Sequence, residues 1–173
     1  MKTKIFCDIA DYKTIKFFNS KSFVDGFTTN PSLMRLAGAK NYKNYSLKIL
    51  RICKNKPISF EVFADNPKDM LKQAYEINSW GKNVYVKIPV VNSRGIFTGS
   101  VIKELSDKGI KLNITAVYTF EQTKKIYKRL NKKTKSIISI FAGRMADKGK
   151  DPLPIFKRSI SLVKRNKNIE ILW

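Results

Sequence analysis

A single lysine interrupts an apolar segment in the middle of the chain, Val84-Tyr85-Val86-Lys87-Ile88-Pro89. This segment predicts a buried strand, because most of its residues are β-branched or aromatic. Burial disfavours an ammonium ion, and the uncharged amine is a nucleophile that forms Schiff bases with carbonyl compounds. Lys87 is therefore the candidate nucleophile. The alternative is a lysine on an edge strand whose ammonium group reaches solvent.

Polar residues also end or follow the other predicted strands. They are Asp8, Thr28, Thr29, Asn30, Glu61, Asn113, Thr115 and Arg144. Any one of them alone is better explained as a helix cap, a turn residue or a buried group with its hydrogen bonds made. Together they favour a functional explanation, because each buried polar group left unpaired destabilises a fold. We predict that they surround Lys87 in one site.

The sequence contains no histidine. This excludes serine and cysteine hydrolases that use an imidazole base, and it excludes zinc-dependent aldolases, whose metal needs several imidazole ligands. The available chemistry is that of lysine, carboxylates, hydroxyls and amides.

Short apolar segments recur along the chain and predict the strands that position these residues. They are 4–8, 23–27, 58–63, 83–88, 110–114, 136–141 and 168–173. Between them, apolar residues recur at helical spacing, as at Met70, Ala74 and Ile77. Alternating strands and helices predict an α/β fold with parallel strands, and the spacing of the units favours a TIM (β/α)8-type barrel. In such a barrel the carboxyl ends of the strands meet at one mouth.

Short polar residues and glycines mark the predicted helix ends. Asp11 and the segment Asp65-Asn66-Pro67 predict helix N-termini, and Ser32 is interpreted as the cap of the helix that follows it. Gly81 and Gly109 predict helix C-termini.

The composition predicts one globular domain over residues 1–173, since 43% of the 173 residues are hydrophobic. No apolar run reaches the roughly 18 residues that a membrane-spanning helix requires. Cys7 and Cys53 lie in apolar contexts that favour reduced thiols over a disulfide. We expect a cytoplasmic protein with no membrane partner.

The formal net charge of +22 raises the possibility of nucleic-acid binding. The basic residues are spread at helical spacing, as at Lys124, Lys125, Lys128 and Arg129, and there is no zinc-finger or aromatic RNA-binding motif. Nucleic acid is therefore not the expected partner. A non-catalytic basic nucleic-acid-binding module stays as the alternative from a different class.

Six segments resemble those of small bacterial transaldolases and the related fructose-6-phosphate aldolases. They are Phe6-Cys7-Asp8, Val24-Asp25-Gly26-Phe27-Thr28-Thr29-Asn30-Pro31-Ser32-Leu33, Ser59-Phe60-Glu61-Val62, Val86-Lys87-Ile88-Pro89, Leu112-Asn113-Ile114-Thr115-Ala116-Val117 and Phe141-Ala142-Gly143-Arg144-Met145-Ala146-Asp147. The resemblance implies a class I aldolase on a TIM barrel, working without cofactor or metal.

The same resemblance implies the catalytic roles. Lys87 would form the Schiff base, and Asp8 would take the hydroxyl proton as the carbon–carbon bond breaks. Glu61 and Thr115 would hold the water that carries protons while the imine forms and is hydrolysed.

Substrate-binding roles follow from the resemblance as well. Asn30 and Asn113 would orient substrate hydroxyls, with Thr28 as a weaker candidate in the same loop as Asn30. Arg144 would anchor the phosphate through paired hydrogen bonds, and Phe141 is a further substrate-binding candidate.

Glu61 together with Phe141 resembles the transaldolase side of the family, since the aldolase side has Gln and Tyr. The expected reaction moves a dihydroxyacetone unit from a ketose phosphate, such as sedoheptulose 7-phosphate or fructose 6-phosphate, to glyceraldehyde 3-phosphate. A fructose-6-phosphate aldolase is the alternative enzyme.

The resemblance stops in the seventh strand, at Trp173. In the family, an Ala-Ser-x-Arg-like segment, an eighth strand and final helices follow. We therefore expect a barrel truncated in or after the seventh strand, with two open strand edges. The resemblance also implies a homo-oligomer.

Overall fold

Parallel strands alternate with helices through the computed structural model, which describes residues 3–173. The strands are β1 (Phe6–Asp8), β2 (Gly26–Thr28), β3 (Ile58–Glu61), β4 (Val84–Pro89), β5 (Leu112–Val117), β6 (Ser136–Ile140) and β7 (Ile169–Leu172). They form one sheet in the order of the chain, and every neighbouring pair is parallel. The sheet curls into a half-barrel of the TIM type, and the predicted fold class is confirmed.

Helices connect the strands on the outside of the sheet. They are α1 (Tyr12–Asn19), α2 (Pro31–Leu36), α3 (Tyr42–Ile52), α4 (Pro67–Ser79), α5 (Gly99–Asp107), α6 (Phe120–Arg129), α7 (Ala142–Ala146) and α8 (Leu153–Val163). None of the helices in the described part of the chain is long and apolar enough to cross a membrane.

Several predicted caps are confirmed. Asp11 accepts a hydrogen bond from the Thr14 amide at the start of α1, and Asn66 does the same for Asp69 at the start of α4. Asp65 does not cap α4; its carboxylate instead accepts hydrogen bonds from the amide and hydroxyl of Ser93 in the β4–α5 loop.

The core lies between the sheet and the helices. Alternate residues of β4, Val84, Val86 and Ile88, point into it and are fully buried, as are Phe27 and Phe60. Burying a side chain of this size stabilises the fold by about 1.5–3 kcal/mol. The intervening residues of the strands face the inside of the half-barrel, where the polar side chains lie.

The second strand begins later than predicted. The predicted strand 23–27 is wrong at its start, because the amide of Val24 donates to Lys21 in a turn and leaves Phe23 55% exposed. The strand starts at Gly26, which lies under the Phe6 ring of β1. A Cβ atom on Gly26 would be 2.4 Å from Cε1 of Phe6, so only glycine allows this close approach.

β1 and β7 are the two edges of the sheet. An ion pair joins the segment before β1 to β7, with Nζ of Lys4 lying 2.5 Å from Oε1 of Glu170. Behind β7, the ring of Trp173 packs edge-on against Phe156 of α8, with 5.0 Å between the ring centroids.

Candidate active site

Lys87 lies inside the half-barrel, with only 7% of the residue exposed. In the register of the sheet it stands between Glu61 on β3 and Asn113 on β5. Its Nζ donates a hydrogen bond of 3.0 Å to the Thr29 carbonyl oxygen and lies 3.2 Å from Oε2 of Glu61. β4 has a neighbour on each side, so the alternative of a solvent-reaching edge lysine is wrong.

Glu61 is the acidic partner of this lysine, and its side chain is 19% exposed. Burial raises the pKa of Glu61, while the nearby Lys87 ammonium opposes the rise and the charge of Asp8 adds to it. Glu61 therefore takes up a proton more readily than an exposed glutamate. A carboxyl group with this tendency, in contact with an amine, is suited to moving protons to and from it.

Asp8 ends β1, and its side chain is exposed on the open edge of the sheet. The hydroxyl of Thr28, its register partner on β2, donates a 2.8 Å hydrogen bond to Oδ1 of Asp8. This bond fixes one oxygen of the carboxylate and leaves the other available to a ligand.

Asn113 is held by two serines on the inner face of the half-barrel. Its Nδ2 donates to Oγ of Ser59 at 3.0 Å, and Ser139 donates to its Oδ1 at 2.8 Å. All three residues are buried. They join β3, β5 and β6 on the face of the sheet that carries Lys87. Ser59 and Ser139 are not among the site residues predicted from the sequence. The available signal was a hydroxyl between apolar neighbours in each strand.

Thr115 lies on the same face of β5 as Asn113, two residues closer to the mouth. Its hydroxyl is buried and has no hydrogen-bond partner in residues 3–173, which is rare for a buried polar atom. Ala116, directly after it, has a φ of 59°, and the pairing with β6 shifts register between Ile114 and Val117. Such a left-handed alanine costs about 1–3 kcal/mol and is typical of functional sites.

Asn30 is the N-cap of α2. Its Oδ1 accepts a 2.9 Å hydrogen bond from the Leu33 amide, which fixes the orientation of the side-chain amide. The predicted capping role of Ser32 is wrong, since Ser32 lies inside the helix.

Arg144 and Phe141 lie beyond the end of β6. Arg144 is exposed in α7 and forms no ion pair or hydrogen bond with another side chain of residues 3–173. Phe141 packs edge-on against Tyr118, with ring centroids 5.6 Å apart. Their roles in substrate binding stay predictions.

The arrangement as a whole suits imine chemistry. It brings a buried amine, a carboxyl group, a fixed amide and an unpaired hydroxyl to one face of the sheet, at the carboxyl ends of β3, β4 and β5. Within the described residues, no three His, Cys, Asp or Glu side chains cluster in a way that could hold a metal ion. Both cysteines are free.

The chain is similar in sequence to known proteins of one family. A model of the Transaldolase/Fructose-6-phosphate aldolase family matches residues 5–173. A probable transaldolase of Dehalococcoides mccartyi is 33% identical over 161 residues, which are 93% of this chain and 71% of that protein. One of Herpetosiphon aurantiacus is 33% identical over 167 residues, 96% of this chain and 71% of the relative. A probable transaldolase of Methanococcus maripaludis is 37% identical over 150 residues, which are 86% of this chain and 64% of that protein.

Proposed function

Because the chain belongs to the transaldolase/fructose-6-phosphate aldolase family, we propose that it is a transaldolase acting through a Schiff base on Lys87. It transfers a dihydroxyacetone unit from a ketose phosphate, of the sedoheptulose 7-phosphate or fructose 6-phosphate type, to an aldose phosphate such as glyceraldehyde 3-phosphate. The observation that carries the proposal is the buried amine of Lys87 in contact with the Glu61 carboxylate.

Imine formation begins when Nζ of Lys87, having given a proton to Glu61, attacks the ketone carbonyl carbon. The carbonyl oxygen becomes a hydroxyl by taking a proton from the attacking nitrogen, and it leaves as water when the proton held by Glu61 reaches it. The nitrogen lone pair then forms the C=N bond. The 3.2 Å separation of Nζ and Oε2 is within reach for these transfers, directly or through one water that Thr115 also binds.

Carbon–carbon cleavage uses the second carboxylate. Asp8 takes the proton from the hydroxyl on the carbon that becomes the departing aldehyde. The O–H electrons form its C=O bond, and the electrons of the breaking carbon–carbon bond move into the iminium group. An aldose phosphate leaves, and a three-carbon enamine stays on Lys87. The enamine carbon then attacks the acceptor aldehyde, Asp8 returns its proton, and water hydrolyses the new imine. Thr28 supports this role by fixing Oδ1 of Asp8.

Substrate positioning falls to the neutral side chains and Arg144. Asn113, held by Ser59 and Ser139, and Asn30, held by its cap bond, present fixed amides to substrate hydroxyls. The guanidinium of Arg144 forms no ion pair within residues 3–173, which suits a phosphate group.

Borohydride reduction in the presence of fructose 6-phosphate tests the proposal. The expected result is a covalent three-carbon or six-carbon adduct on Lys87, seen by mass spectrometry of the protein and its peptides, and lost in Lys87→Ala. Lys111→Ala is the matched control, because Lys111, directly before β5, is a partly buried lysine whose pKa is lowered by burial. An adduct that survives Lys87→Ala, or none in the folded wild type, contradicts the proposal.

Product analysis separates the two reactions of the family. A transaldolase retains the three-carbon unit until an aldehyde arrives, whereas an aldolase releases free dihydroxyacetone. The carboxylate at Glu61 supports the transaldolase. Steady release of dihydroxyacetone without acceptor would favour the aldolase, and salt-sensitive nucleic-acid binding without any sugar-phosphate turnover would favour a basic binding module.

A further inference from the structure

The hydroxyl of Tyr42, the first residue of α3, contacts the backbone of Glu61 twice. It accepts a 2.9 Å hydrogen bond from the Glu61 amide and donates one of 3.2 Å to the Glu61 carbonyl oxygen. A single side-chain oxygen therefore satisfies both peptide groups of the residue that contacts Lys87.

Glu61 needs this partner because β2 is shorter than β3. The Thr29 amide donates to the Ser59 carbonyl oxygen at 3.1 Å, and beyond this point the chain turns into α2. The peptide groups of Glu61 point to the same side as those of Ser59, since groups two residues apart in a strand share a side. On the opposite side, the Val62 amide is already bound to the Lys87 carbonyl oxygen. Tyr42 thus replaces the missing strand.

The Tyr42 ring is held firmly. It packs edge-on against Phe60 and Phe63, with ring centroids 6.5 Å and 5.1 Å away, and lies 6.0 Å from Trp80. Burial raises the pKa of the Tyr42 phenol, so the group stays a neutral donor at all physiological pH values. A fixed, neutral hydroxyl is suited to hold a strand end in one place.

We propose that Tyr42 is a positioning residue, which keeps the Glu61 carboxylate at the distance from Lys87 that proton transfer requires. The expected effect of Tyr42 on the reaction rate rests on the proposed function. The fixation of the Glu61 backbone by Tyr42 does not depend on that function. Two measurements therefore separate these parts.

The structural part is tested by amide hydrogen exchange in Tyr42→Phe. We expect the Glu61 amide to exchange at least about tenfold faster than in the wild type, since it loses the acceptor that Tyr42 provides, a change that corresponds to about 1.4 kcal/mol. Tyr45→Phe is the matched control: the Tyr45 hydroxyl, one turn along α3, donates to Ala10 and Ala37 and not to Glu61. Unchanged exchange at Glu61 in Tyr42→Phe, or an equal change in Tyr45→Phe, overturns the inference.

The kinetic part is tested by a double-mutant cycle on the single-turnover rate of borohydride trapping. Tyr42→Phe should slow trapping by about tenfold in the wild-type background and by less than about twofold in Glu61→Gln, because it acts through the carboxylate. Equal slowing in both backgrounds would show a merely structural role and overturn the proposal. If the wild type traps no sugar at all, the proposed function fails, while the exchange result still decides whether Tyr42 fixes Glu61.

Discussion

The Lys87–Glu61 pair combines two opposing effects on a carboxyl group. Burial of Glu61 favours its protonated form, and the contact with Lys87 favours its carboxylate. Both groups are nearly enclosed, so removing one partner leaves the other polar group poorly solvated. The pair therefore places a carboxyl group with a raised pKa in contact with the amine, as the proposed imine steps require.

A pH dependence follows from Glu61. Its neighbours are Lys87 on β4, Asp8 on β1 and the neutral Tyr42 on α3, and the net result is a raised pKa. The trapping rate should fall as the pH decreases through a value above that of an ordinary glutamate, because protonated Glu61 cannot accept the lysine proton. A pH–rate profile of trapping measures this decrease, and Glu61→Gln should remove it. If the decrease at low pH persists in Glu61→Gln, another group is responsible for it.

Asn113 is expected to matter for stability as well as binding. Asn113→Ala leaves the buried hydroxyls of Ser59 and Ser139 without their partner, which should destabilise the fold by about 1–3 kcal/mol. Urea unfolding measures the difference. Asn44→Ala, at an exposed position of α3, is the control and should change stability by less than about 0.5 kcal/mol. Similar values for the two variants would show that the serine bonds contribute little.

At the scale of the elements, the pairing of β1 with β2 determines where the Asp8 carboxylate lies. β1 is short and has one strand neighbour, so the position of its carboxylate depends on the three-residue register with β2 and on the Thr28 bond. The Phe6 ring over Gly26 allows this register.

Gly26→Ala tests that register. The new methyl group would meet the Phe6 ring at 2.4 Å, so we expect a loss of about 1–3 kcal/mol in unfolding free energy. The double variant Phe6→Leu, Gly26→Ala should recover part of the loss. Gly143→Ala in α7 is the control, since a Cβ there meets no atom within 4 Å and alanine favours a helix. If Gly26→Ala is as stable as the wild type, β1 and the Phe6 ring can shift to make room for the methyl group without cost.

At the scale of the whole molecule, charge is the unusual property. There are 35 basic and 13 acidic residues, and most of the described ion pairs are exposed, including the one between Lys4 and Glu170. Exposed pairs contribute about 0–1 kcal/mol each. Repulsion among the remaining lysines and arginines acts against the compact state. Assembly into a homo-oligomer stays a prediction.

Salt should therefore stabilise this protein. Raising NaCl from about 10 mM to about 150 mM shortens the Debye length from about 30 Å to about 8 Å and weakens the repulsion. We expect the thermal midpoint to rise over this range, as measured by circular dichroism. Sucrose at matched osmolality controls for effects unrelated to charge. A midpoint that falls with salt would mean that attractive surface pairs dominate.

The sequence by itself determined the fold class, the strand and helix order and the buried position of Lys87. These follow from local patterns, since an apolar strand segment with one lysine is recognisable without any knowledge of its neighbours. The motifs also determined the family. Cap residues such as Asp11 and Asn66 were predictable for the same reason, because a cap acts within one turn of its own helix.

Only the tertiary structure decided how the site is held together. The hydrogen bonds between the serines and Asn113, those between Tyr42 and Glu61 and the left-handed Ala116 were not predictable, because each depends on where another strand ends or which side chain crosses the sheet. Such contacts join residues far apart in the chain. Their partners are set by the curl and register of the sheet, which no local pattern specifies.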